Sequence, residues 1–162
     1  WTSEFHEMLL VGSLQPMQLD AAKITERFQQ ASVRSTLQDV GIGSAAALLA
    51  TWVTDRAGLE RFAANAPAVT DDQPRIEYAP WVRSKEITRV LPALLALYQP
   101  PTLGNADAGF TDRLETHRQR LMQFYRASLH AYDGDRDAWG RDMREVMRGD
   151  GGNPYFRWFT GQ

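Results

Sequence analysis

From Asp20 onward, apolar residues recur at the spacing of α-helices, except in the proline-containing segment Ala66 to Trp81. Within that segment Arg75 to Tyr78 could form a short extended piece, but the main run typical of a β-strand lies in the first thirteen residues. That run is Phe5 to Ser13, and Trp1 to Ser3 resembles the end of a preceding strand. A two-stranded piece is marginal in water, and no partner sheet is evident elsewhere in the sequence. We therefore expect a mainly α fold with one or two short N-terminal strands.

Capping and helix-breaking residues divide the helical part into short segments. Asp20 is a candidate N-cap for the helix that follows it, and either Thr54 or Asp55 is a candidate N-cap for a later helix. Gly41 is placed to end a second short helix. The nearly all-apolar stretch Ser44 to Val53 predicts a buried helix.

The last third of the chain has the clearest helical pattern. One amphipathic helix is predicted around Leu114 to Tyr132, and a second around Trp139 to Met147. The turn between them contains Asp133 and Asp135, either of which suits a helix cap. An aromatic segment after Asn153-Pro154 follows the second helix. This order resembles one tetratricopeptide-type repeat and the start of the next, and an ordinary antiparallel helix pair fits it equally well.

The charge balance and the absence of cysteine exclude several classes of function. The chain has 18 Lys plus Arg and 20 Asp plus Glu, a formal net charge of −2, so a general electrostatic affinity for nucleic acid is not expected. Without cysteine there is no disulfide, thiolate zinc site or Cys nucleophile. The most apolar stretch, Ala45 to Val53, is about half the roughly 20 residues that a spanning helix needs, so no direct membrane insertion is expected.

No metal site is expected either. His117 and His130 are more than three helical turns apart, and His6 lies far from both in the sequence. The acidic turn that begins at Asp133 lacks the glycine and glutamate of a calcium-binding loop, since Ala138 and Arg144 stand at those positions.

Three segments, in this order, resemble spermidine synthase-like proteins. They are LLVGS at Leu9 to Ser13, LERFAANAP at Leu59 to Pro67, and TDDQPRIEY at Thr70 to Tyr78. The likeness is greatest to bacterial proteins that fuse such a domain to a membrane-embedded region. It covers roughly the first half of the chain.

The resemblance implies that residues 1–81 are the C-terminal end of a spermidine synthase-like domain and that residues 82–162 are a helical extension. The parent protein would transfer an aminopropyl group from decarboxylated S-adenosylmethionine to putrescine, in polyamine biosynthesis. It would hold that co-substrate on an upstream Rossmann-like sheet, from which the short strands here are left over. The parent would be cytoplasmic or anchored in the inner membrane, and a homodimer is left open.

The nucleotide-binding part of such a protein is missing from these residues. No G-x-G-x-x-G follows a strand and precedes a helix, and no catalytic residue of the family can be carried onto this chain. We therefore expect no bound cofactor and no activity of the chain alone. The expected partner is the upstream nucleotide-binding domain of the same polypeptide.

The TDDQPRIEY segment and the tryptophan after it contain the candidate substrate-binding residues. Asp71, Asp72 and Glu77 could attract a polyamine cation, and Tyr78 or Trp81 could pack on its methylene groups. The simpler interpretation, which we prefer, is a structural turn, because adjacent Asp residues before a proline suit one without any ligand.

A functional alternative has no link to polyamines. It is a helical protein-interaction module of the tetratricopeptide type.

Overall fold

The computed structural model of the chain describes residues 1–4, 7–72 and 86–161. These residues form two compact units, one made of Trp1–Trp52 together with Pro101–Gln162 and one made of Val53–Pro100. The predicted boundary between residues 81 and 82 lies outside the described residues. Most described residues are helical, as the periodicity predicts.

The N-terminal strands are short. Strand β1 (Thr2–Glu4) pairs antiparallel with β2 (Glu7–Met8), and Trp1 and Leu9 extend the pairing through two backbone hydrogen bonds of 3.0 and 2.8 Å. The prediction of short N-terminal strands is confirmed, but the strand expected to reach Ser13 ends at Met8. Beyond Leu9 the backbone has no partner strand among the described residues to keep it extended.

Six helices lie in the described part of the large unit. Three precede the small unit in the chain: α1 (Ala21–Phe28), α2 (Ala31–Asp39) and α3 (Ala45–Ala50). Three close the chain: α6 (Ala108–Asp133), α7 (Arg136–Asp150) and α8 (Pro154–Phe159). The predicted hairpin corresponds to α6 and α7, which pack against each other and are joined by a turn at Gly134.

A second pair of strands joins distant parts of the large unit. Strand β3 (Leu19–Asp20) pairs in parallel with β4 (Leu103–Gly104). The pairing brings the start of α1 next to the segment that leads into α6, and Asp20 Oδ2 accepts a bond of 2.7 Å from Asn105. Sequence analysis missed it because two residues are too few to produce an alternating pattern.

The core of the large unit lies where α1, α3 and α6 meet. It is formed by small and large apolar side chains that interdigitate: Ala21, Phe28, Ala45, Ala46, Leu49, Phe110 and Leu114. A second cluster surrounds the fully buried Phe124, whose ring centroid lies 4.8–5.3 Å from those of Tyr155, Phe156 and Phe159. The aromatic segment at the chain end is therefore docked on α6.

The small unit contains α4 (Arg56–Ala63) and α5 (Ile87–Leu95). Asp55 caps α4 by accepting from Gly58 N at 3.0 Å, which decides between the two predicted caps. Gly58 lies so close to Thr54 that a Cβ at this position would collide with the threonine side chain. Helix α5 contains Pro92, which the sequence places inside its apolar stretch.

Candidate functional site

Two of the five predicted amine-binding residues lie within the described part of the chain. Asp71 and Asp72 are exposed in a turn after Thr70. Glu77, Tyr78 and Trp81 lie outside the described residues. The amine-binding interpretation therefore stays a prediction.

A cleft of about 540 Å³ lies within the large unit. Its walls are the loop between α2 and α3, the middle of α6, the end of α7 and the start of α8. Its polar groups come from segments far apart in the sequence. Ser44, His117, Arg120, Asp150 and Asn153 all line it.

Ser44 and His117 face each other in this cleft. Ser44 Oγ lies 3.4 Å from His117 Nε2 and also accepts a bond of 3.1 Å from Ala47 N, which caps α3. Burial lowers the pKa of His117 below its ordinary value of 6.5, the positive charges of Arg120 and Arg113 lower it further, and Asp150 opposes them. The imidazole is therefore neutral at pH 7 and can donate one hydrogen bond and accept one.

The same residues resemble a serine–histidine–aspartate arrangement, but the geometry does not support nucleophilic catalysis. The serine oxygen already accepts a cap bond, and 3.4 Å is long for transfer of its proton to the imidazole. Among the described contacts, Asp150 does not hydrogen-bond to His117, and its carboxylate accepts from Asn153 Nδ2 at 3.2 Å instead. Within the described residues, no carboxylate hydrogen-bonds to the imidazole to orient it as a base.

Asn153 and Gly41 close one side of the cleft. Asn153 Nδ2 donates to Gly41 O at 3.0 Å, while its Oδ1 accepts from the N–H groups of Tyr155 and Phe156 and caps α8. Gly41 has φ of +83°, and a Cβ there would collide with Asn153 Oδ1. Glycine is required because the positive φ and the close approach act together.

A buried arginine of α6 binds the backbone at the end of α3. Arg118 is 6% exposed and donates from Nη1 to Trp52 O at 2.8 Å and to Ala50 O at 3.4 Å. Its charge lies at the C-terminal end of α3, where backbone carbonyls are free to accept. The cation therefore fixes the end of α3 to α6.

An apolar groove of about 700 Å³ adjoins the cleft on the large unit, and Val40, Ile42 and Tyr155 line both. We define the apolar groove by six of its lining residues: Leu9, Val11, Leu37, Val40, Leu48 and Trp158. Trp158 is 70% exposed, and Leu9, Val11 and Val40 are about half exposed. Apolar surface of this kind marks sites where other molecules bind.

Sequence reasoning missed both concavities. Ser44 was predicted only as part of a buried helix, and His117 was considered only as a metal ligand. The one available signal was the pair of polar residues His117 and Arg120 on the buried side of an amphipathic helix. Nothing in the local sequence indicates that Asn153 and Gly41 meet.

Within the described ranges, no cluster of three or more histidine, aspartate or glutamate side chains could hold a metal ion. None of the helices described there combines the length and the apolar character needed to cross a membrane. Comparison with known proteins gave no matching family model, no matching curated protein and no matching solved structure.

Proposed function

We propose that this chain is the non-catalytic C-terminal part of a spermidine synthase-like protein. The parent transfers an aminopropyl group from decarboxylated S-adenosylmethionine to putrescine, and the chain docks on the nucleotide-binding domain that precedes it. The observation that carries the proposal is the exposure of the apolar segment Met8–Met17, which includes the LLVGS motif. We call it the exposed segment.

Six large apolar side chains of the exposed segment face solvent. Leu10 is 67% exposed and Leu14 is fully exposed, and the others are Met8, Leu9, Val11 and Met17. Burying one such side chain contributes about 1.5–3 kcal/mol relative to leaving it in water. A concentration of this kind within ten residues supports an interface with a partner that covers it.

The backbone of the exposed segment supports a sheet as that partner. Regular strand structure ends at Met8, and the described residues supply no further strand beside Leu10 to Ser13. Such backbone can add to the edge of another sheet, where its N–H and C=O groups find partners. A Rossmann-like sheet in the preceding domain offers such an edge.

The apolar groove is continuous with the exposed segment, because Leu9 and Val11 belong to both. A domain that pairs with the segment would also cover the groove and Trp158. This joint surface supports a tightly docked domain rather than a loosely tethered one.

Two observations test the proposal. The coding sequence ahead of Trp1 should specify a Gly-rich turn followed by an Asp-bearing loop, within about 200 residues, a typical domain length. The isolated 162-residue chain should bind putrescine no more tightly than millimolar in calorimetric titration. Micromolar binding would contradict the non-catalytic role.

Substitution in the exposed segment tests the docking itself. The double change Leu10→Lys and Leu14→Lys should lower the Tm and the transferase activity of the longer polypeptide, while the Tm of the 162-residue chain stays unchanged. Phe62→Lys, at a half-exposed apolar residue outside the segment, is the control. Equal effects on both polypeptides, or no effect on either, would contradict docking.

A protein-interaction module of tetratricopeptide type is the second candidate. The observation that favours it is the hairpin of α6 and α7, followed by α8 with Pro154 in its first turn. Helix α6 has 26 residues, which is long for one helix of a 34-residue repeat. A coding sequence ahead of Trp1 without the Gly-rich turn would favour this candidate.

A further inference from the structure

Arg120 puts a positive charge on the wall of the 540 Å³ cleft. Its stem lies over Gly149 of α7, with Cγ, Cδ and Nε within 4.0 Å of the position that a Cβ would occupy there. The absence of a side chain at Gly149 lets the arginine lie flat in a half-buried position. In the part of the chain that the structure describes, Arg120 forms no ion pair with a carboxylate.

Among the described contacts, the acidic group of the cleft forms no ion pair with Arg120. Asp150 accepts a hydrogen bond from Asn153 Nδ2, and Asn153 is held in turn by Gly41 O and by the first turn of α8. The carboxylate is thus directed toward the amide. The guanidinium keeps its donors for another acceptor, and Arg is well suited to bind carboxylates through two parallel bonds.

The neutral side chains of His117 and Ser44 line the cleft with Arg120 and can hydrogen-bond to a small anion. His117 is uncharged at pH 7, and the Ser44 hydroxyl 3.4 Å from it can rotate toward a ligand. Apolar surface from Ile42, Leu121 and Tyr155 lines the rest of the cleft. Its volume lies within the range of small-molecule sites, which combine mostly apolar walls with a few polar anchors.

We propose that this cleft binds a small organic carboxylate. Arg120 pairs with the carboxylate, Ser44 and His117 supply hydrogen bonds, and the apolar body of the ligand packs against Ile42 and Tyr155. The site lies within the large unit and shares Ile42 and Tyr155 with the apolar groove, but Arg120, Ser44 and His117 line only the cleft.

The 162-residue chain is titrated with sodium benzoate as the probe, at low ionic strength, and binding is monitored by ¹H–¹⁵N NMR. Saturable shifts are expected at the amides of Gly41, Gly43 and Gly152, with a dissociation constant that rises about tenfold or more in Arg120→Met. Methionine keeps an unbranched stem over Gly149. Arg136→Met, which removes an exposed arginine at the start of α7, should leave benzoate binding unchanged.

Two further variants keep the test decisive if Arg120→Met fails to fold. Arg120→Lys retains the charge and loses the planar fork, so it should weaken benzoate binding by a smaller factor. Ala47→Leu fills the cleft from α3 and should abolish binding without changing any charge.

Three results would overturn the proposal. The first is no saturable benzoate shift, or equal affinity in the parent chain and in the Arg120 variants. The second is binding of inorganic phosphate in place of benzoate, which would mean an anion site without an apolar pocket. The third is binding of putrescine that is lost in Asp150→Asn, which would mean a cation site.

Discussion

The hydroxyl of Tyr125 donates a hydrogen bond of 2.7 Å to Thr2 Oγ1, across 123 positions of sequence. Both side chains are about 2% exposed. Thr2 donates in turn to Thr51 O, through its backbone N–H at 2.9 Å and its hydroxyl at 3.2 Å. One threonine therefore ties β1 to the end of α3 and to the middle of α6.

Tyr125→Phe should destabilise the large unit by about 1–3 kcal/mol, because it removes a buried bond and leaves the Thr2 hydroxyl with one partner fewer. Urea unfolding of the parent chain, Tyr125→Phe, Thr2→Val and the double variant forms a thermodynamic cycle. The double variant should lose less stability than the sum of the single changes. Additive losses would mean that the two hydroxyls do not interact.

Because of His117, we expect the free energy of unfolding to decrease as the pH falls below neutrality. Burial, with the nearby arginines, lowers its folded-state pKa below the ordinary 6.5, so the folded chain favours the neutral imidazole. The resulting stability is fully present above pH 6.5 and is lost as pH falls through the folded-state pKa. His117→Gln should flatten the dependence of the urea midpoint on pH below 6.5. His130→Gln on the same helix is the control, and an unchanged slope in His117→Gln would contradict the assignment.

Gly41→Ala should destabilise the chain by about 1–3 kcal/mol, because alanine is strained at φ of +83° and its Cβ collides with Asn153 Oδ1. The matched control is Gly43→Ala, two residues away, where no heavy atom lies within 4 Å of the added Cβ and φ is not positive. Thermal unfolding should separate the two variants by several degrees. Equal Tm values would show that the closure of the cleft by Asn153 contributes little.

Asp135→Ala should cost about 0.5–2 kcal/mol, since its carboxylate accepts a bond of 2.9 Å from Ala138 N and caps α7. Asp133, the last residue of α6, makes no such cap bond. Asp133→Ala should leave stability unchanged or raise it slightly, because an acid is unfavourable at a helix C-terminus. Urea denaturation of the two variants compares them directly, and the reverse order would mean that α7 begins elsewhere.

Local signals in the sequence predicted most of the helices. Asp20, Asp55 and Asp135 cap helices where the sequence placed caps, through bonds of 2.9–3.0 Å to the third residue after each. Such bonds span only three positions, so the sequence itself contains both partners. The tetratricopeptide resemblance and the relationship to an upstream sheet stay predictions.

The predicted extent of the N-terminal strand was wrong for a different reason. The run from Leu9 to Ser13 has the composition of a strand, but a strand exists only where a neighbour accepts its hydrogen bonds. Within the described residues, the last backbone pairing of this run is that of Leu9 with Trp1. The composition of a segment gives it a preference for strand structure, but the segment forms a strand only when a neighbouring strand pairs with it.

By itself, the sequence determined the helical class, the caps, the apolar faces of α6 and α7 and the absence of cysteine chemistry, because each depends on residues a few positions apart. Only the tertiary structure decided that Arg118 caps α3, that β3 pairs with β4, and that Ser44 faces His117 across 73 positions. Contacts of that range follow from how helices pack, and no local pattern contains both partners.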